Sequence, residues 1–255
     1  MSNDAKQTIW IFGDQLNPDI SSLHGQTPGD CRILMVESLQ KIQSKNWHAQ
    51  RQHVVISAMM HFAEELREKG FEVDYQLATS FQKGLEKHCQ DNAVTEVSAM
   101  EPSSWKCREF LEKNGIQIIP NNQFICSYSD FAEWSKSRKQ LRLEDFYRWQ
   151  RKRLGILMSD GGPEGGHWNF DSENREPPPK DGRDWPSLAK FPLDTIDEVV
   201  LRRLSDGWGK SPEGIWPVTR AQALVRLQEF IDTGLPQFGI YEDAMLASEW
   251  KLSHS

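Results

Sequence analysis

The sequence predicts an α/β protein: a Rossmann-like parallel five-stranded sheet with flanking helices, followed by a linker and a short helical segment. From residue 8 to about 120, short apolar stretches of strand length alternate with longer amphipathic stretches. Parallel strands need crossover connections, which are usually helices, so this alternation indicates a parallel sheet. After about residue 128 the alternation stops, and residues 159–192 are rich in Gly and Pro, as is typical of an extended linker.

The first half of the sheet domain is predicted from two buried strands and one long helix. The strands are residues 8–12 and 32–37, both short runs of mainly apolar side chains. The helix runs from about residue 47 to 69 and is ended by Gly70. Its apolar side chains recur at the helical spacing of 4, 3 and 4 residues, at Val55, Met59, Phe62 and Leu66.

The second half repeats the pattern. Thr79 or Ser80 caps one helix and Ser103 or Ser104 caps the next, because a hydroxyl accepts a hydrogen bond from the first helical turn. The predicted elements are strands at 71–77, 94–100 and 116–119 and helices from about 80 to 90 and from 105 to 113.

Beyond the sheet, short helices are predicted at 130–136, 143–154, 194–205 and 219–232. The composition therefore predicts three parts: an α/β domain at 1–128, a helical and Gly/Pro-rich linker at 129–192, and the start of a helical domain at 193–255.

Composition and charge narrow the class of protein. The net charge of −7 argues against strong binding of duplex DNA by this chain alone. No run of about 18 apolar residues occurs and the N-terminus lacks signal-peptide features, which predicts a cytoplasmic protein without a membrane span. The four cysteines form no CxxC pair, so we expect reduced thiols rather than a metal site.

Three carboxylates follow predicted strands: Asp14, Glu37 and Glu101. Ligands of open parallel sheets bind beyond the carboxyl ends of the strands. Gly13 permits a tight turn there, and carboxylates that accept hydrogen bonds suit a neutral heterocycle better than a phosphate. Alternatively, Asp14 is a turn or capping residue and the two glutamates are solvated, and the residues alone leave both readings open.

The sequence lacks the common motifs for nucleotide-phosphate binding and for nucleophilic catalysis. Gly13 and its neighbours do not form GxGxxG, and neither a Walker motif nor a GxSxG nucleophile elbow occurs. The seven histidines show no triad or metal-ligand spacing, and we expect His48 and His61 to cap, pack or face solvent.

Residues 136–153 carry eight basic side chains against two acidic ones, interleaved with aromatic residues. This pattern suits a nucleic-acid backbone, but it equally fits a helix whose aromatic side chains turn inward and whose basic face is solvated.

Seven short motifs occur in order along the chain. They are FGDQL at 12–16, SAMMHFAEEL at 57–66, Glu101-Pro102 with Trp105, DFYR at 145–148, GGHWNFD at 165–171 with Asn174-Arg175, WPVTR at 216–220, and Phe238-Gly239 with EDAM at 242–245. In these motifs the chain resembles the prokaryotic iron–sulfur photolyases, also called bacterial cryptochromes with (6-4) photolyase activity.

The resemblance implies a function. In that family the N-terminal α/β domain holds the antenna pigment 6,7-dimethyl-8-ribityllumazine, which passes excitation to FAD in a helical domain that repairs UV-damaged DNA. Gly13, Asp14, Gln15 and Glu37 match family positions at the pigment site, and Val55 matches an apolar position facing it. The chain departs from the family at Met60, which is usually Arg, and at Lys41, which is commonly acidic.

The resemblance also implies what lies outside these 255 residues. In the family, FAD and a four-cysteine 4Fe-4S cluster are held by later residues, and none of the four cysteines here matches the cluster ligands. We therefore expect a truncated antenna-and-linker portion. The alternatives are an autonomous small-molecule-binding protein and a module that docks a separate flavin domain.

Overall fold

The structure is a computed structural model that describes residues 5–178, 180, 189–204 and 208–245. The described residues fall into two compact units. The first lies within 1–123 and 189–225, and the second within 124–188 and 226–255. The domain division predicted at 128 and 192 stays a prediction.

A five-stranded parallel sheet forms the centre of the first unit, in the order β3-β2-β1-β4-β5. This order and the flanking helices confirm the predicted Rossmann-like α/β class. The strands are β1 (Lys6–Trp10), β2 (Cys31–Ser38), β3 (Glu72–Ala78), β4 (Val94–Met100) and β5 (Gln117–Ile119).

The inner strands are buried because helices cover both faces of the sheet. Every residue of β2 is buried, as expected for a strand that has neighbours on both sides. One face packs the side chains of Ile9, Ile33 and Met35 against the long helix. The other face packs Trp10, Leu34 and Val36 against the helices on the opposite side.

Four helices connect these strands: α1 (Leu39–Ile42), α2 (Ala49–Glu68), α3 (Phe81–Asp91) and α4 (Trp105–Lys113). The His48 ring caps α2 by accepting a hydrogen bond from Gln50 N at 3.2 Å. Capping is one of the three roles that the sequence left open for His48. Ser80 caps α3 by accepting from Lys83 N at 3.2 Å. Gly70 follows α2 with a φ of +90°, which explains why glycine ends that helix.

A buried polar relay crosses the first unit. Thr8 Oγ1 lies 2.9 Å from His88 Nε2, and His88 Nδ1 lies 2.6 Å from Asp74 Oδ2. Thr8 and His88 are both 0% exposed, so these bonds satisfy polar groups that water does not reach.

The part of the second unit that follows the sheet in sequence contains α5 (Tyr128–Ser135), α6 (Leu143–Leu154) and a short antiparallel pair, β6 (Met158–Ser159) with β7 (Gly162–Pro163). A 3₁₀ turn follows at Glu164–Gly166. An aromatic cluster joins the two helices, with Trp134 and Phe146 ring centroids 5.0 Å apart. The predicted linker at 159–192 thus has local structure in its first part, and its residues 179 and 181–188 lie outside the described chain.

Three further helices follow: α7 (Thr195–Arg203), α8 (Arg220–Glu229) and α9 (Leu235–Phe238), with a π-helical turn at Phe230–Gly234 between the last two. The predicted helix at 194–205 has its last residue outside the described part, and so does the end of the chain from 246. The apolar side chains of Leu224, Leu227 and Phe230 are 43–53% exposed. Among the described helices, none is long and apolar enough to cross a membrane.

Candidate functional site

The candidate site lies at the carboxyl edge of the sheet, where β1 and β4 end. The chain leaves β1 towards β2 on one side, whereas β4 lies on the other side of β1. Such a reversal of strand order, beyond the carboxyl ends of the strands, is the usual ligand position in folds of this kind.

Gly13 brings the loop after β1 close to α2. A Cβ placed on Gly13 would lie 2.9 Å from Met59 Sδ and 3.3 Å from Val55 Cγ1, so the close approach depends on glycine. Val55 lies on the same apolar stripe of the helix as Met59, but the exposure of the two side chains differs. Val55 is 40% exposed, whereas Met59 is 5% exposed. An apolar side chain open to solvent therefore stands beside the glycine.

Asp14 links this loop to the loop after β4. Its carboxylate accepts a hydrogen bond from Ser103 Oγ at 3.3 Å, and its carbonyl accepts one from Gln123 Nε2 at 3.2 Å. The Asp14 side chain is exposed, so the carboxylate oxygens remain open to solvent and to a ligand with N–H or O–H donors.

Asp14 and Lys41 of α1 both lie near the thiol of Cys107 in α4. Burial, with a smaller contribution from the Asp14 charge and against the opposing Lys41 charge, raises the pKa of the Cys107 thiol to about 11. The thiol is therefore protonated and unreactive at neutral pH. Lys41 supplies a positive charge near Cys107, at a position that is commonly acidic in the photolyases that the sequence resembles.

Gln15 and Glu101 are engaged in internal contacts. Gln15 is 1% exposed; its Nε2 donates to Met100 O at 3.1 Å and its Oε1 accepts from Phe12 N at 3.4 Å. These bonds fasten the end of β1 to the end of β4. The Glu101 carboxylate pairs with Arg108 of α4.

Glu37 is buried and fully paired. Both of its carboxylate oxygens lie 2.6 Å from Arg203 Nη2, and Tyr75 OH donates to Oε2 at 3.0 Å. Burial and the Glu37 charge raise the pKa of Tyr75 far above its ordinary value of 10.0, so the phenol remains a donor. The carboxylate predicted to be a ligand group thus anchors α7 to the sheet.

The structure therefore groups Gly13, Asp14 and Val55 at one place and occupies Gln15, Glu37 and Glu101 in contacts within the protein. Sequence reasoning missed Arg203 because its partner lies 166 residues earlier, and no local pattern reports such a pair. Ser103 was weighed only as a helix cap, although its hydroxyl reaches Asp14.

A cavity of about 410 Å³ lies at the opposite, amino edge of the sheet. Of the six predicted site residues, all of which the structure describes, none lines it. Its walls are polar and consist of Arg32, Glu72, Val73, Asp74, Asp91 and Asn92.

In the basic segment at 136–153 the aromatic side chains turn inward, which is the second of the two alternatives that the sequence left open. Phe146 and Trp149 pack with Trp134 in the aromatic cluster of the second unit. Arg151 is buried; it donates to Tyr147 OH at 2.8 Å and lies over the Trp168 ring at 5.4 Å. These aromatic side chains stabilise the unit, and the exposed lysines and arginines form its outer face.

Two comparisons with known proteins bear on the identity of the chain. It is 35% identical over 265 residues to a protein described as (6-4) photolyase from Agrobacterium fabrum (strain C58 / ATCC 33970), an alignment that covers 98% of this chain. The chain spans about half the length of that relative, since the alignment covers 52% of it. The family model described as "Deoxyribodipyrimidine photo-lyase-related protein" matches residues 9–214, which is most of the chain. The chain therefore belongs to the deoxyribodipyrimidine photo-lyase-related protein family.

Proposed function

We propose that this chain is the antenna-binding portion of a light-driven DNA photolyase, and that it holds a neutral heterocyclic pigment at the carboxyl edge of the sheet. The observation that carries the proposal is the grouping of Asp14 with Gly13 and Val55 at the strand-order reversal. Photolyase-related proteins generally bind a flavin and an antenna chromophore and act on DNA, which supports the assignment.

The residues at this edge fit a ribityllumazine in their chemistry. Asp14 offers carboxylate oxygens to ring N–H or ribityl hydroxyl donors, and Val55 offers exposed apolar surface for one ring face. Gly13 leaves the backbone accessible to the ligand. Glu37 does not contact the pigment in this proposal; its ion pair with Arg203 holds α7 against the sheet. When bound, the pigment absorbs light and passes the excitation to a flavin.

FAD, the 4Fe-4S cluster and damaged DNA belong, in this proposal, to the complete protein rather than to these residues. The four cysteines are free thiols at separate positions: Cys31 is buried in the sheet, Cys89 is exposed, and Cys107 and Cys126 are intermediate. The exposed apolar side chains of α8, including Leu224 and Leu227, offer a surface on which a flavin domain packs. This favours docking of such a domain over an autonomous small-molecule-binding protein.

The test is a fluorescence titration of the purified chain with 6,7-dimethyl-8-ribityllumazine. Val55→Trp places a bulky ring beside Gly13 on a side chain that is already 40% exposed, so it should block the ligand without unfolding the domain. We expect the dissociation constant to rise at least about tenfold, a loss of roughly 1.4 kcal/mol.

Val225→Trp is the matched control, because Val225 is a 49% exposed valine on α8. It should bind as the wild type does, and both variants should keep the wild-type Tm. A wild-type chain that takes up no lumazine, or equal affinity in the Val55→Trp variant, contradicts the proposed site.

A further inference from the structure

Two histidines of α2 and two aspartates of α7 form a cluster in the first unit, apart from the residues used above. His53 and His61 are eight residues apart in α2, about 2.2 helical turns, so they share a face of the helix. Asp194 is the N-cap of α7 and Asp197 lies in its first turn. His53 is 2% exposed and Asp197 is 1% exposed.

Each aspartate uses one oxygen to start α7 and has one oxygen left over. Asp194 Oδ1 accepts from Ile196 N at 2.9 Å and from Asp197 N at 3.1 Å. Asp197 Oδ2 accepts from Asp194 N at 3.1 Å, which completes the capping box. The second oxygens face the histidines: Asp194 Oδ2 lies 3.5 Å from His61 Nε2, and Asp197 Oδ1 lies 3.0 Å from His53 Nε2.

Three of these atoms are buried without a hydrogen bond of acceptable geometry to any residue that the structure describes. They are His53 Nε2, His61 Nε2 and Asp197 Oδ1. A buried polar atom without a partner is costly, and a buried carboxylate oxygen is more so. A cation bound beside His61 Nε2 and Asp197 Oδ1 supplies a partner to both of these atoms, while His53 Nε2 keeps its 3.0 Å ion pair with Asp197.

The spacing suits a small transition-metal ion. One atom each of His61, Asp194 and Asp197 lies within 4.8 Å of the others. Zinc bonds of about 2.0–2.2 Å in tetrahedral geometry place ligand atoms roughly 3.4 Å apart, so only a small inward movement is needed. An imidazole nitrogen among the ligands favours zinc-like ions over Mg²⁺ or Ca²⁺, which prefer oxygen alone.

We propose that His61 Nε2, Asp194 Oδ2 and Asp197 Oδ1 bind one divalent transition-metal ion of the zinc class. His53 is a positioning residue, because its Nε2 lies 3.0 Å from the same Asp197 Oδ1 and holds that oxygen in place for the ion. Water completes the coordination. The ion ties the start of α7 to α2 and stabilises the first unit, because metal binding to the folded state favours folding.

The experiment uses the full chain after removal of metal with a chelator. Zn²⁺ is titrated by calorimetry, and Co²⁺ is titrated as a spectroscopic probe whose visible absorption reports tetrahedral nitrogen and oxygen ligands. We expect one equivalent to bind and Tm to rise by about 5 °C at a hundredfold excess over Kd.

Two ligand variants and one control separate a metal site from a plain histidine–aspartate ion pair. His61→Gln should weaken Zn²⁺ binding about 100-fold. Asp194→Ser removes a ligand but keeps a good N-cap, so the variant should fold normally. Its affinity for Zn²⁺ should nevertheless fall at least about tenfold. His24→Gln changes an exposed loop histidine and should bind as the wild type does.

Near-UV circular dichroism checks that each variant is folded. Absence of saturable Zn²⁺ and Co²⁺ binding to the wild type overturns the proposal and leaves the ion pair. Equal binding by the wild type, His61→Gln and Asp194→Ser overturns it as well.

Discussion

At the scale of single residues, buried polar side chains fasten the sheet to its helices. Asp74 is the outer end of the relay through His88 to Thr8, and Gln76 Nε2 also donates to its carboxylate. Burial acts to raise the pKa of Asp74, but the hydrogen bonds from His88 and Gln76 and the nearby positive charge hold it below its ordinary value of 3.8. The carboxylate therefore stabilises the fold in its ionised form.

Asp74→Asn should lower the free energy of unfolding by about 1–3 kcal/mol at neutral pH, because it weakens hydrogen bonds to a charged acceptor. The folded-state pKa lies below the unfolded value, so the contribution is complete above 3.8 and is lost as the pH falls through the folded pKa. The gap between wild type and variant should therefore shrink towards about pH 3.

Urea unfolding at both pH values measures this gap. Asp91→Asn is the matched control, since the Asp91 side chain is 51% exposed and pairs with Lys87 on the helix surface. Its effect should stay within about 0.5 kcal/mol. A gap for Asp74→Asn that is constant or wider at low pH would falsify this role.

The Glu37–Arg203 pair joins two residues 166 positions apart. Arg203→Met leaves a carboxylate that is 4% exposed without its cation, and we expect a loss of about 2–3 kcal/mol, moderated because the Arg203 side chain is 33% exposed. A double-mutant cycle with Glu37→Gln should give a coupling energy of about 1–3 kcal/mol.

Arg202→Met serves as the control for that cycle, because the Arg202 side chain is 68% exposed and lies 3.9 Å from its partner Glu198. It should cost less than about 0.5 kcal/mol. Additive effects of Glu37→Gln and Arg203→Met would show that the two side chains do not support each other.

At the scale of elements, α3 packs on β2 at a distance that one glycine sets. A Cβ on Gly84 would lie 2.6 Å from Val36 Cγ1 and 2.8 Å from Val36 Cγ2. Gly84→Ala should therefore destabilise the protein by about 1–3 kcal/mol, although alanine is the better helix former by about 1 kcal/mol.

Val36→Ala removes the two methyl groups that a Cβ on residue 84 would contact. Alone it should cost about 1–3 kcal/mol through lost burial and a small cavity. Combined with Gly84→Ala it should cost at least about 1 kcal/mol less than the sum of the two, measured by chemical unfolding. Strict additivity would mean that the contact does not limit the packing of α3.

Element types were predictable because each depends on neighbouring residues. The bounds of β4, α4 and α6 agree with the sequence prediction, and Gly155 marks the end of α6. Ser104 occupies the N-cap of α4 as predicted, but its side chain makes no capping hydrogen bond. The first strand was placed two residues late: Ile11 and Phe12 are buried like strand residues but lie beyond the end of β1 at Trp10. Burial alone does not distinguish a strand from the buried turn that follows it.

The edge of the sheet that carries the candidate residues was predictable, but the contacts of those residues were not. Strand ends alone placed Asp14, Glu37 and Glu101 at one edge of the sheet. Arg203 pairs with Glu37 and Arg108 pairs with Glu101, so of the three carboxylates Asp14 is the one left free to contact a ligand. The periodicity of a sequence does not show which side chains pair with each other. The grouping of His61 with Asp194 and Asp197 was hidden for the same reason, because the linker separates them in sequence.

At the scale of the whole molecule, the first unit combines the sheet with α7 from beyond the linker. Glu37–Arg203 and the His–Asp cluster both bind α7 to this unit, and Gln50 Nε2 adds a hydrogen bond to Ser211 O at 3.1 Å. The net charge of −7 fits the proposal that the chain is an antenna portion and that strong DNA binding depends on other residues.

The central claim is that this chain holds an antenna pigment. The most direct measurement is the near-UV and visible absorption spectrum of the purified chain, with any pigment released by denaturation and identified by its mass. We expect about one equivalent of a lumazine, which absorbs beyond the tryptophan band and is lost in the Val55→Trp variant. A colourless, well-folded protein that also fails to bind added 6,7-dimethyl-8-ribityllumazine would contradict the proposed antenna role.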